Sequence, residues 1–266
     1  MLNLSITKLH FPGNQDLPAP ITVSLYYKEY YTADFTLIGF GFRARDSIVE
    51  DLIVSSYTAM AVAGTNSVVR IFKIDGATRC ATTNPYVRAG RPTNLNGDTE
   101  FFVDLRKCDQ FAIRGGDIVL SERLLSTRLG VSGDTIRGFS WTGNPKIVNT
   151  ANPNGNGLIY FDTGGGAAIS SGTVLSGFRV FHNVATTQPT LLMSGGEAFS
   201  VEDFYVYHTA GGSSGGGFNT GASVRSAVFT GNKIFGTTGC MSDSGVNTRW
   251  TDASGGGKNF CNGAGQ

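Results

Sequence analysis

The chain is short of charge, of long apolar runs and of closely spaced cysteines, and each shortage removes a class of protein. Only 15% of its 266 residues are charged and the net charge is +1, against about one-quarter charged in an average soluble domain. There is no basic tract and no arginine-rich segment, so the electrostatic footprint of a nucleic-acid binder is missing. No stretch approaches the ~18 apolar residues of a membrane span. Met1-Leu2-Asn3-Leu4-Ser5-Ile6-Thr7-Lys8 has neither the charged start nor the apolar run of a signal peptide. Nucleic acid as a partner, membrane insertion and secretion by the usual route are therefore not expected.

The four cysteines, Cys80, Cys108, Cys240 and Cys261, form no C-x-x-C pair, whereas a zinc site brings its ligands in close pairs. They read as reduced thiols, with Cys240–Cys261 available to tether the last segment in an oxidising compartment. Gly255-Gly256-Gly257-Lys258 is followed by Asn259 and does not make a phosphate loop. No G-x-S-x-G elbow and no H-E-x-x-H is present. The expected cofactors are none, and no metal is expected.

What is abundant is glycine, 37 residues, and phenylalanine, 18. High glycine with low charge argues for turns and short strands rather than helices, which favour Ala, Leu, Glu, Lys and Arg. Two strings nearly repeat: Val49-Glu50-Asp51-Leu52-Ile53-Val54 and Val201-Glu202-Asp203-Phe204-Tyr205-Val206. Related strings are Leu37-Ile38-Gly39-Phe40-Gly41-Phe42, Thr135-Ile136-Arg137-Gly138-Phe139-Ser140-Trp141 and Leu175-Ser176-Gly177-Phe178-Arg179-Val180. Recurrent short strands parted by glycine are the sequence form of a stacked β architecture.

Along the chain, strands are expected at 21–27, 35–42, 48–55, 68–74, 101–105, 111–114 and 117–120, with a tight turn at Asp75-Gly76. Residues 81–99, with Asn84-Pro85 and Arg91-Pro92, read as a long exposed loop. Ser121 to Leu129 is the best helix candidate: Ser121 can cap it, Leu124, Leu125 and Leu129 share a face, and Gly130 can end it. Beyond Gly130 the strands shorten and glycine fills the gaps. Phe178, Phe204 and Phe229 follow at intervals of 26 and 25 residues, and Phe139 stands in a similar context. A period of about 20–30 residues is that of a solenoid, whose coils bury their inward side chains against their neighbours.

The run from about 131 to 250 resembles the right-handed parallel β-helix of bacteriophage tail spikes and pectate-lyase-like proteins. The strings that carry the resemblance are 174–180, 201–206 and 224–232. The expected fold is all-β: an N-terminal irregular β-rich attachment domain, residues 1–130, and a C-terminal Gly-rich parallel β-helix, residues 131–266. The repeated V-E-D string argues against dividing the chain there. The resemblance implies a virion protein, a spike or fibre component that assembles in the host cytoplasm. It would be a homotrimer whose partners are other virion proteins and host surface polysaccharide. The alternatives are a polysaccharide hydrolase or lyase on the same scaffold, and a purely structural capsid-decorating or tail-adaptor protein.

For cleavage, two carboxyls about 5–10 Å apart are needed. The candidates are Glu50-Asp51, Asp162, Glu197, Glu202-Asp203 and Asp243, although acids recurring at equivalent points read first as structural. No residue is assigned a catalytic role. The carbohydrate-binding candidates are Trp141, Tyr205, Tyr207 and His208, and Tyr26, Tyr27, Tyr30 and Tyr31 form a further aromatic cluster. His182 and His208 follow neighbouring strands at the same 26-residue interval, so stacked coils would bring the imidazoles together as a ladder. The plain reading is two polar residues closing strands; the functional one is a proton-transfer or metal pair.

Overall fold

A computed structural model describes residues 2–6, 8–10, 21–25, 35–41, 44–57, 68–89, 99–120, 123–127, 135–150, 152–153, 156–162, 169–209, 215–250 and 259–262. Every regular element among them is a β-strand. The N-terminal strands form an irregular antiparallel patch. Leu2–Ile6 lies between Ile21–Leu25 and Ile53–Tyr57, and Lys8–His10 pairs with Ile48–Glu50. All other pairings are parallel, beginning with Phe35–Phe40 on Val68–Thr83. The fold is thus an all-β parallel solenoid preceded by an irregular β region.

Among the described residues the solenoid has eight coils, each passing through four strand positions. Stacked, these make four ladders. The first contains Ile38, Phe72, Val103, Leu125, Ile159, Leu191, Phe218 and Met241, one from each coil. The second contains Arg45, Thr78, Asp109, Arg137, Ser171, Glu197, Arg225 and Val246. The third contains Val49, Thr82, Ile113, Trp141, Leu175, Val201, Phe229 and Trp250. The fourth contains Val54, Val87, Ile118, Ile147, Val180, Val206, Ile234 and Cys261. The parallel ladders cross residue 130 with no change of pairing, since Thr99–Arg114 is bonded to Arg123–Thr127 and to Thr135–Arg137.

Two corners recur with a residue at positive φ. Between the second and third ladders it is Asp46, Arg79, Gln110, Gly138, Gly172, Ala198, Ser226 or Asn247. Between the third and fourth it is Asp51, Asn84, Gly115, Asn144, Gly177, Asp203 or Gly231. This left-handed conformation is open to glycine and, at low cost, to Asn and Asp. The second corner explains the repeated string. Val49 and Val201 stand in one ladder, Asp51 (φ 49°) and Asp203 (φ 54°) turn the chain, and Val54 and Val206 stand in the next. Gly177 fills the same place, and there a Cβ would come within 2.7 Å of the Asn144 side chain.

The core is an aromatic spine. Phe40, Phe72, Phe102, Trp141, Phe178, Phe204, Phe218 and Trp250 touch in sequence at centroid separations of 4.5–6.3 Å. Phe178 and Phe204 stack nearly parallel, 16° apart, at the equivalent place in successive coils. Burying such a ring stabilises the fold by roughly 1.5–3 kcal/mol.

Several expectations need correction. The proposed helix at Ser121–Leu129 contains the strand Arg123–Thr127, with Leu124, Leu125, Ser126 and Thr127 all buried. The strand completes the first ladder between Thr99–Arg114 and Ile159–Phe161, where a helix would leave both backbones unpaired. Its Thr127 hydroxyl donates to Asp162 O (2.9 Å) and accepts from Asp162 N (2.6 Å). The presumed loop from 81 continues the strand Val68–Thr83, turns at Asn84 and resumes as Tyr86–Ala89. Asp75-Gly76 is a register shift within that strand, not a reversal. Phe229 lies in the third ladder opposite Val201, three residues ahead of the place held by Phe204, and Phe139 follows the first corner. Cys240 and Cys261 form a disulfide with Cα atoms 5.8 Å apart, whereas Cys80 and Cys108 are free and buried. Burial pushes the Cys108 thiol up to about 12. The cluster at Tyr26, Tyr27, Tyr30 and Tyr31 lies outside the described residues.

Candidate functional site: the outer face of the fourth ladder

Each strand of the fourth ladder from Ile53–Tyr57 to Lys233–Phe235 begins two residues after the second corner, so its first residue points outward, the next inward and the third outward again. In Tyr205–His208 this alternation exposes Tyr205 (38%) and Tyr207 (41%) and buries Val206 and His208. The neighbouring coils repeat it. Arg179–His182 presents Arg179 and Phe181, Lys233–Phe235 presents Lys233 and Phe235, and Phe260 follows at 46% exposure. Five aromatic rings thus form one outward strip. Phe181 and Tyr205 lie 6.3 Å apart, Tyr205 and Phe235 5.2 Å, Tyr207 and Phe235 6.4 Å, and Phe235 and Phe260 5.5 Å.

The strip is flanked by cations. Lys146, Arg179 and Lys233 are exposed and occupy the same outward column as Tyr205. Further towards the N-terminus the column holds Asp117, which pairs with Arg88 at 3.0 Å, while the Arg88 guanidinium also covers the Tyr86 ring at 3.9 Å. Asp117 is the only acid on this face among the described residues. Asp203 and Glu202 stand before it, at the corner and in the third ladder.

Of the residues proposed from sequence to bind carbohydrate, Tyr205 and Tyr207 are on this strip. Trp141 is not: it is fully buried in the third ladder, and its indole Nε1 donates to Gly115 O at 3.0 Å. His208 points inward and is 4% exposed. A buried ring offers no surface to a ligand, so these two are corrected to core residues. The expected imidazole ladder is present. His182 and His208 stack at 4.4 Å with 9° between their planes. The ring nitrogens of His182 meet Asn149 Nδ2 (3.1 Å) and Thr190 Oγ1 (2.9 Å), and His208 Nδ1 meets Thr186 Oγ1 (3.4 Å). Burial, with some repulsion from His208, pushes His182 down to about 3, and burial pushes His208 down to about 4. Both imidazoles are neutral, and they are part of the core.

The acidic candidates are spread over several coils, and most have an identifiable place in the ladders or corners. Glu202 accepts from Ser200 Oγ, and Asp162 accepts from Ser194 Oγ at 3.0 Å. Asp243 accepts from Thr220 Oγ1 and from Gly245 N at 2.8 Å. Asp51 and Asp203 turn the second corner, and Glu197 lies between Ser171 and Arg225 in the second ladder. Among the described residues no group of three or more His, Cys, Asp or Glu side chains is placed to hold a metal ion. No helix among them is long and apolar enough to cross a membrane.

Sequence reasoning found the two tyrosines and missed Phe181, Phe235, Phe260 and the three cations. For all but Phe260 the signal was present: Lys146, Arg179, Phe181, Lys233 and Phe235 stand two or four residues after a corner, and those corners are Gly or Asn. Comparison with protein-family models, with curated proteins and with solved structures finds no match to this chain.

Proposed function

We propose that this chain is an attachment protein of a virion, a phage tail spike or fibre component that holds host surface glycan on the outer face of its fourth ladder. The observation that carries the reading is the strip of five outward-facing rings, with Tyr205, Tyr207 and Phe260 exposed and Phe181 and Phe235 half-buried. Aromatic side chains left in water on a regular sheet are an interaction surface, and their repeat follows the ~4.8 Å spacing of stacked strands. A rigid, linear platform of that kind suits a linear polymer of ring-shaped units. In this reading residues 131–266 present the strip, residues 1–130 hold the protein to other virion proteins, and the assembly is a homotrimer. The separated carboxylates favour binding over cleavage.

The test is retention of the purified protein on a panel of bacterial surface polysaccharides, with chromatography for released oligosaccharides. Retention that falls about tenfold in Tyr207→Ala, with an unchanged melting temperature, supports attachment through this face. Retention unaffected by Tyr205→Ala and Tyr207→Ala together would refute it, and released oligosaccharides would turn the reading towards a depolymerase.

A further inference from the structure

The charge on the aromatic strip identifies the kind of glycan, and this step rests on the attachment reading above. We infer that the strip takes an acidic polysaccharide, one whose sugars carry carboxylates, laid along the solenoid axis. Lys146 and Arg179 are partners in adjacent coils, and Lys233 stands two coils beyond Arg179 with Tyr205 between them. At the ~4.8 Å rise of a ladder, the cations recur at one or two sugar-sized steps along the rings. None of the three has an ion-pair partner among the described residues. Among the described residues surface cations are paired at some other places, Arg79 with Asp46 and Arg88 with Asp117 at 3.0 Å, and unpaired at Arg114, Arg137, Arg225 and Arg249. What sets these three apart is that they share one outward column with the aromatic rings. The rings supply apolar contact with sugar faces, and the guanidinium and ammonium groups supply the counter-charge for carboxylates.

The same charges argue against a second copy of this chain as the occupant. A self-association of this face would set Lys146, Arg179 and Lys233 against their own kind, and like charges across an interface oppose association. They also argue against single-stranded nucleic acid, which carries a charge on every nucleotide and calls for a denser basic track than three cations on a chain of net charge +1.

The experiment measures binding of the full chain to hyaluronan, gellan and alginate, each beside its carboxyl-reduced form, with dextran and a single-stranded thymidine homopolymer as further probes. The expected result is that at least one acidic polymer binds, more weakly as salt rises, and at least tenfold better than the same backbone with its carboxylates reduced. Arg179→Gln and Lys146→Gln should each weaken the acidic form roughly threefold to fivefold and leave the reduced form unchanged. Equal binding to acidic and reduced forms overturns this inference and leaves the attachment reading intact. Binding only to neutral dextran does the same. Binding to no polysaccharide overturns both, and preference for the thymidine polymer overturns both in favour of nucleic acid.

Discussion

The inner and outer faces of the fourth ladder are made by the same strands and obey opposite rules. Inward, the column runs Val180, Val206, Ile234 and, one step on, His182 and His208, all buried. Outward, it runs Arg179, Tyr205 and Lys233, with Phe181, Tyr207 and Phe235 beside them, all touching water. The inner face contains polar histidines that are silenced by burial. The outer face contains apolar rings that nothing among the described residues covers. A residue's type therefore says less about its role here than its distance from the corner. Histidine, which commonly does chemistry, is packing; phenylalanine, which commonly packs, is on show.

The largest effect expected from breaking the inner side is on the stack at the corner. Phe204→Ala should cost about 3–5 kcal/mol, because it removes a ring packed between Phe178 and Phe218; chemical denaturation measures it, and a cost near zero would place the ring outside the core. Next comes the last coil. Reduction of Cys240–Cys261, which closes a 21-residue separation, should cost about 2–4 kcal/mol, read as a lower melting temperature with reductant that is absent in Cys240→Ala/Cys261→Ala.

Acid should then separate the faces. The unfolded imidazoles titrate near 6.5, and the folded ones near 3 and 4. Below pH 6.5 the unfolded chain takes up protons that the folded chain refuses. Stability should fall as pH drops from about 6.5 towards 4 and flatten once the folded groups titrate. His208→Asn should shrink that loss, as followed by melting temperature against pH, whereas Lys233→Gln on the outer face should not. The smallest stability effect belongs to the strip itself: Tyr207→Ala should change unfolding free energy by no more than about 0.5 kcal/mol.

The repeated V-E-D string disclosed the register of the fold, since its acid is a corner residue and corners recur once per coil. The same logic made the imidazole ladder legible from His182 and His208. It failed where identity and place part company. Trp141 sits beside glycines, as a surface ring would, yet the glycine at 138 is a corner that turns the indole inward. Ser121–Leu129 carries leucines at 124, 125 and 129 on one helical face, and only the two strands that flank Arg123–Thr127, distant in sequence, decide that it is extended. Phe229 matched the period and missed the column, because spacing alone does not distinguish a strand residue from the one that follows a turn.

The second corner makes the molecule a gauge. Asp51, Gly177 and Asp203 are equivalent stations on one scale, and the chain between neighbouring stations is a whole rung. Removal of the segment 180–205 would rejoin Arg179 directly to Val206, placing an outward residue before an inward one as in the parent. The product would be shorter by ~4.8 Å and otherwise in phase. The reach of the aromatic strip is thus counted in rungs, and gain or loss of coils would lengthen or shorten it in whole steps.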